Sequence, residues 1–198
     1  MPPVAGFGTM RFVRVAGPPC IRGVAILGLR QAAERFDPEA LRQVLEHRAS
    51  AALRETLAKC EPRAWYPAQA HLELLELLLH DVAHDDPTLL AEFAREAIKR
   101  DLKGIYRVLL RVFSPAWVVA RADRFLAAYL NYGRVHIEER SLVGARLRFE
   151  ISPSSEAFWE GLAGSIRGAL ESAGAEHARV LREPSESPDV GVYRLSWS

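Results

Sequence analysis

Lysine is nearly absent from this chain: Lys59, Lys99 and Lys103 stand against 23 arginines. The arginines run the whole length and are interleaved with acids, so the net charge is only +1. No bulk attraction toward nucleic acid or an anionic membrane follows from that balance. Arginine is the better clamp for phosphate and carboxylate, but its even spread here accords with a GC-rich coding bias rather than an anion site. Cysteine is scarce too. Cys20 and Cys60 form no CxxC pair and are too few for a disulfide framework, which points to a reduced setting with both thiols as small apolar groups. The first ten residues, MPPVAGFGTM, lack the positive segment and apolar run of a secretory leader. No uncharged apolar run approaches the ~18 residues that a membrane helix needs. These absences set the expectation of a cytoplasmic protein with no membrane span.

What is present is an ordinary globular composition, 49% hydrophobic and 26% charged, in a chain of 198 residues, which is enough for one sizeable core. Residues 1–20 read as a lead-in and 21–198 as one α+β domain, helical over 21–132 and sheet-forming over 133–198. Phe12 to Val15 has the pattern of a short strand. Ile21 to Phe36 is helical despite Gly23 and Gly28, whose cost of about 1 kcal/mol each against alanine implies a close neighbour on that face. Asp37-Pro38, Asp86-Pro87 and Ser114-Pro115 each pair a capping side chain with proline at the first helical position. The helix from Ala68 to about His84 carries leucine at 72, 74, 75, 77, 78 and 79, so it is buried on more than one side. Short helices follow over 105–112 and, with Val118, Ala122, Phe125 and Tyr129 in one stripe, over 115–131. At Gly133 the period falls to two.

Beyond Gly133 the chain reads as β-β-α-β-β. Val135 and Ile137 alternate with polar neighbours, as do Ala145, Leu147, Phe149 and Ile151, giving a hairpin with one packed and one wet face. A helix from Ser155 to Gly174 aligns Gly161, Gly164 and Gly168, a small-residue stripe suited to close approach to a sheet. Strands over 177–182 and 191–197 complete a four-stranded antiparallel sheet packed against the helical half.

The candidate chemistry is thin. His80 and His84 lie four apart on a helix, a spacing two metal ligands can use, but no third ligand is in view and a polar helix end accounts for them. His47, His71, His136 and His177 are isolated and read as surface or satisfied imidazoles. Glu138 and Glu139 are adjacent on a strand and are expected on opposite faces, so they form no carboxylate pair. There is no GxSxG, no phosphate loop and no placed cysteine nucleophile. No catalytic and no metal-ligating residue is therefore assigned, and an enzyme is not expected. The aromatic residues Trp65, Tyr66, Tyr106, Trp117, Phe125 and Tyr129 gather in the helices before Gly133. They serve either a core or an apolar pocket between helices and sheet, and they are the candidate pocket residues.

IRGVAILGL (21–29), AWYP (64–67), the run LAEFAREAIKRDLKGIYRVLLRVFSPAWVV (90–119), AAYLNYGRVHIEER (127–140) and WEGLAGSIRGALESAGA (159–175) resemble one ligand-binding superfamily. It is shared by haem nitric-oxide-binding domains, V4R domains and Golgi transport tethering subunits, and the chain looks nearest to an uncharacterised bacterial branch. The resemblance implies a helical half leaning on an antiparallel sheet, often a homodimer, binding haem, lipid, small aromatics or proteins. Haem-binding members use a proximal histidine and a Tyr-x-Ser-x-Arg motif. Here Tyr106-Arg107-Val108-Leu109-Leu110 lacks the serine and arginine, so no cofactor is expected, haem included. The cysteines that V4R-type members carry near the last strands are missing after Cys60. The functional expectation is a sensory or signalling domain for a small apolar or aromatic ligand, with no nucleic-acid partner. The alternative is a homodimeric protein–protein scaffold that binds nothing small.

Overall fold

The computed structural model describes residues 17–106 and 114–198, with the backbone alone at 103–106. The strand expected at Phe12–Val15, most of the helix expected at 105–112 and the side chain of Tyr106 lie outside the described residues. Among the described residues there are eight α-helices, a four-stranded antiparallel sheet and a two-stranded one.

The short strands β1 (Cys20–Arg22) and β2 (Trp65–Pro67) pair antiparallel. Sequence reading places β2 in a helix break because two prolines bracket it; the pairing is long-range and leaves no local period. Helix α1 (Gly23–Phe36) follows β1 directly. Asp37 accepts the Ala40 N–H at 2.9 Å to start α2 (Pro38–His47), and Ser50 accepts from Leu53 to start α3 (Ala51–Lys59). Helix α4 (Ala68–Leu77) runs into a π-helical turn at Leu78–Val82, so the single helix expected to His84 changes pitch halfway. Helix α5 (Pro87–Tyr106) passes through Gly104 without a break. The helix expected over 115–131 is divided in two, α6 (Pro115–Val119) and α7 (Ala122–Tyr129), by a turn at Ala120-Arg121.

Gly133 takes a φ of +86°, a conformation open to glycine at low cost, and hands the chain to β3 (Arg134–Arg140). Strand β4 (Gly144–Glu150), helix α8 (Glu156–Ser172) and strands β5 (Arg179–Glu183) and β6 (Val190–Ser196) follow. The chain order of the strands does not give their order in space, which is β3-β4-β6-β5. Ala145, Leu147 and Phe149 pair with Leu195, Tyr193 and Gly191, and this face packs on the core. The Trp159 indole lies against Gly191, where a Cβ would come within 2.6 Å of its ring.

Two expectations about this half need correction. The glycine stripe of α8 faces helix α5, not the sheet: a Cβ on Gly164 would collide with the Ala91 carbonyl, and one on Gly168 would reach within 2.7 Å of the Arg95 carbonyl oxygen. Glu138 and Glu139 do not point to opposite faces. The pairing of β3 with β4 slips between Ile137 and Glu139, and a bulge re-aims the side chains beside it. Glu138 reaches Arg146 and Glu139 reaches Arg194 at 3.5 Å, two arginines that are cross-strand partners on the wet face. Glu183 joins them, at 2.8 Å from Arg146 and 2.7 Å from Arg194.

Among the described residues no helix is long and apolar enough to cross a membrane.

Candidate functional site

A cavity of about 170 Å³ lies where helices α1, α5, α7 and α8 come over the packed face of the sheet. Its position follows from how α7 is held. The Cys20 N–H donates to Asn131 Oδ1 at 2.6 Å, the Asn131 N–H returns to the Cys20 carbonyl at 3.1 Å, and Ile21 bridges to Leu130. The exit of α7 is thereby tied to β1, beside the cavity rather than across it.

The wall is apolar, with Phe125, Phe149 and Phe158 supplying rings and Ala94, Ala97, Ala122 and Ala169 leaving the room. Four polar side chains also line it: His71, Asp101, Tyr129 and Ser165. The Tyr129 hydroxyl donates to Asp101 Oδ2. His71 is buried, 7% exposed, packed edge-on to Phe158 with ring centroids 6.3 Å apart. Its Nδ1 has no hydrogen-bond partner among the described residues. Burial pushes its pKa from the usual 6.5 down to about 4, so the ring is neutral near pH 7.

Of the aromatic candidates, the structure brings Phe125 and Tyr129 to the cavity. Trp117 stands behind them, edge-on to Phe125 at 6.5 Å with the Arg121 guanidinium 4.0 Å over its ring. Trp65 and Tyr66 are not among the lining residues. Trp65 is 39% exposed beneath the Arg22 guanidinium. The Tyr66 hydroxyl donates to the Lys59 carbonyl at 2.9 Å and accepts the Glu61 N–H at 2.8 Å. Tyr106 lies outside the described side chains. His71, read from sequence as an isolated surface or satisfied histidine, is neither. The signal for it was its place among Leu72, Leu74 and Leu75, on a helix buried on more than one side.

His80 and His84 do not share one regular helix. The π-helical turn spans Leu78–Val82, and His84 lies beyond it at a φ of +52°. His80 lies between acids, with Nδ1 2.5 Å from Asp85 and Nε2 3.3 Å from Glu76. The bond to Asp85 raises its pKa. Among the described residues no group of three His, Cys, Asp or Glu is placed to hold a metal ion.

This arrangement is the fold of the H-NOX, or haem-NO-binding, domains. The Fe(II) unliganded H-NOX protein from K. algicida aligns over 89% of this chain and 96% of its own, with 16% identity and a TM-score of 0.67. The H-NOX protein from S. oneidensis in the Fe(II)NO state aligns over 89% and 99%, with 10% identity and a TM-score of 0.64. The IWP-051-bound H-NOX from Shewanella woodyi in the Fe(II)CO state aligns over 89% and 94%, with 16% identity and a TM-score of 0.60. At such identities the fold is what is shared. By sequence the chain belongs to the family described as protein of unknown function DUF2378, which matches residues 30–198. No curated protein matches it.

These neighbours correct the expectation of no cofactor. That expectation rested on the missing serine and arginine after Tyr106, and proteins described in Fe(II) states share this fold. Against a haem, the described residues give a divided answer. His71 presents an imidazole, a donor type that holds haem iron. The space does not fit a porphyrin as it stands: about 170 Å³ is close to the ~150 Å³ cavity that takes one benzene, and below the ~300 Å³ at which sites for drug-sized ligands begin. Nor does any Lys or Arg among the described lining residues stand ready for propionates.

Proposed function

We propose that this chain is a non-catalytic sensory domain that holds a small ligand in the cavity between α1, α5, α7, α8 and the sheet. The cavity itself carries the reading. It is apolar, with a few polar groups converging on it, and it contains a buried imidazole whose Nδ1 has no partner among the described residues. An orphaned polar atom in an apolar site costs on the order of 1–3 kcal/mol, and a ligand that pairs with it recovers part of that. The H-NOX neighbours, described with iron, NO and CO, support a sensory role for a chain of this fold.

Native mass spectrometry of freshly purified protein, beside hemin titration followed by absorbance, tests this. The expected result is a co-purifying or added small molecule bound one per chain by the wild type and lost in Ala169→Leu, which fills the cavity. A Soret band that disappears in His71→Ala identifies the occupant as an iron porphyrin, admitted by movement of the walls. No bound species in any arm, with Ala169→Leu indistinguishable from wild type, ends the reading.

A second reading, the homodimeric scaffold, has exposed apolar side chains in its favour: Leu142 at 86%, Val143 at 60% and Leu181 at 63%. Light scattering on wild type and Leu142→Ser decides it. A dimer that the substitution weakens supports the scaffold, and a monomer at all concentrations removes it.

A further inference from the structure

Asp101 is the unusual member of the cavity wall. It places a carboxyl group on a wall that is mostly aromatic and aliphatic, where a charged group is costly unless paired. Tyr129 satisfies Oδ2, but a hydroxyl donor leaves the charge in place, and an ionised carboxylate has about four acceptor positions. Among the described side chains of α5, the cations nearest Asp101 in sequence have partners elsewhere. Lys99 reaches Glu171 at 3.2 Å, and the Arg100 guanidinium donates to Gln31. His71 supplies no positive charge, because burial keeps it neutral. Among the described lining residues nothing cationic balances the acid.

On the reading of this cavity as a ligand site, we infer that its occupant is a small aromatic amine or N–H heterocycle of about one ring, its donor on the Asp101 carboxylate, and that ligands bearing a carboxylate are refused. Three features converge on that class. The volume suits a single ring with a short substituent. Phe125, Phe149 and Phe158 present π-faces and edges to a ring, and π-faces attract an ammonium. Asp101 is the one carboxyl side chain among the described lining residues and offers acceptor oxygens, so a cationic donor on the ligand gains a charge-assisted hydrogen bond while a ligand carboxylate brought beside it meets an acceptor instead of a donor.

The test uses the full chain and four probes that differ only in the group on one ring: toluene, benzyl alcohol, benzylamine and benzoate. Affinities come from ligand-observed NMR near neutral pH, with thermal shift as a second readout. Wild type is expected to bind benzylamine about tenfold tighter than toluene, the worth of one charge-assisted hydrogen bond, and to show no binding of benzoate. In Asp101→Asn the preference for benzylamine over benzyl alcohol is expected to fall to within about twofold with toluene affinity kept, since charge is lost and shape is not. Equal affinity for all four probes, or tightest binding of benzoate, overturns the inference and leaves the cavity a ligand site. Failure of every probe to bind wild type overturns the inference, and with native mass spectrometry and hemin titration also blank it overturns the cavity reading itself. The wild-type series decides between these outcomes even where Asp101→Asn does not fold.

Discussion

Helix α5 is packed in two contrasting ways. Toward α8, Ala91, Arg95 and Ile98 meet Gly164 and Gly168 with backbones nearly touching. The rim of that seam is closed by charge: Arg95 lies 2.7 Å and Lys99 3.2 Å from Glu171, and Arg167 bridges Glu171 and Glu92 at 3.1 and 2.9 Å. Ala97 also meets Gly28 of α1 closely, but toward α7 Ala94, Ala97 and Asp101 of the same helix line a gap that stays open as the cavity. Both facing helices are tied to other elements, but at different places. Helix α8 is held to the sheet through Trp159, Tyr193 and Arg182 and its glycines still reach α5, whereas α7 is tied to β1 through Asn131 and Leu130. The two seams differ in where the facing helix is tied as well as in the glycines that line the closed one.

Substitutions that enlarge a side chain should separate the two seams most clearly. Gly164→Leu drives carbon into the Ala91 carbonyl and is expected to cost about 3 kcal/mol or more, read as a lowered denaturation midpoint at unchanged m-value. An unchanged midpoint would show that α8 is not seated on α5 as described. Of similar size is the acid response on the cavity side. His71 has a folded-state pKa near 4 against 6.5 in the unfolded chain. Between those values the unfolded chain takes up a proton that the folded chain refuses, so stability falls as pH drops through that window and is whole again above it. The full loss is about 3 kcal/mol, and a pH series of melting temperatures should lose this limb in His71→Leu.

Glu171→Ala probes the rim of the closed seam. Burial alone would raise the Glu171 carboxyl, but the hydrogen bonds from Arg95 and Lys99 outweigh it and hold the pKa low. Removing the carboxylate leaves Arg95 and Lys99 without their shared partner, for an expected loss of about 2 kcal/mol that shrinks in high salt. A salt-independent loss would point to packing instead of charge. The smallest expected effect has the opposite sign. Ala169→Leu adds three carbons to the open seam and should stabilise the ligand-free protein by about 1 kcal/mol. If it destabilises as Gly164→Leu does, the two seams are alike and the cavity is closed in solution.

Much of this architecture was legible in the chain. Asp37, Ser114 and Ser155 accept the hydrogen bonds that their sequence context announces, and Gly133 marks the handover from helix to sheet. The alternation at Ala145, Leu147 and Phe149 assigns the buried face of β4 correctly. The candidate site was only partly legible. Phe125 and Tyr129 fall in an apolar stripe and could be named, but that stripe also runs through Val118, now on a separate helix from them. His71 is isolated from other titratable groups of its kind along the chain, and its relevance comes from Phe158, 87 positions away.

By itself, then, the sequence determined most of the local decisions: which long segments coil, which of the last four extend, and which face of each is apolar. These depend on backbone donors, capping side chains and periodicity within a few residues. Only the tertiary structure decided what lies across each face. It set the glycines of α8 against α5 and not the sheet, turned Glu138 and Glu139 to one side through a bulge, and left His71 and Asp101 facing a common space. Periodicity records that a surface must be covered but carries no information about its cover. Whether two covered surfaces meet tightly or enclose a cavity depends on how distant parts of the chain are tied together.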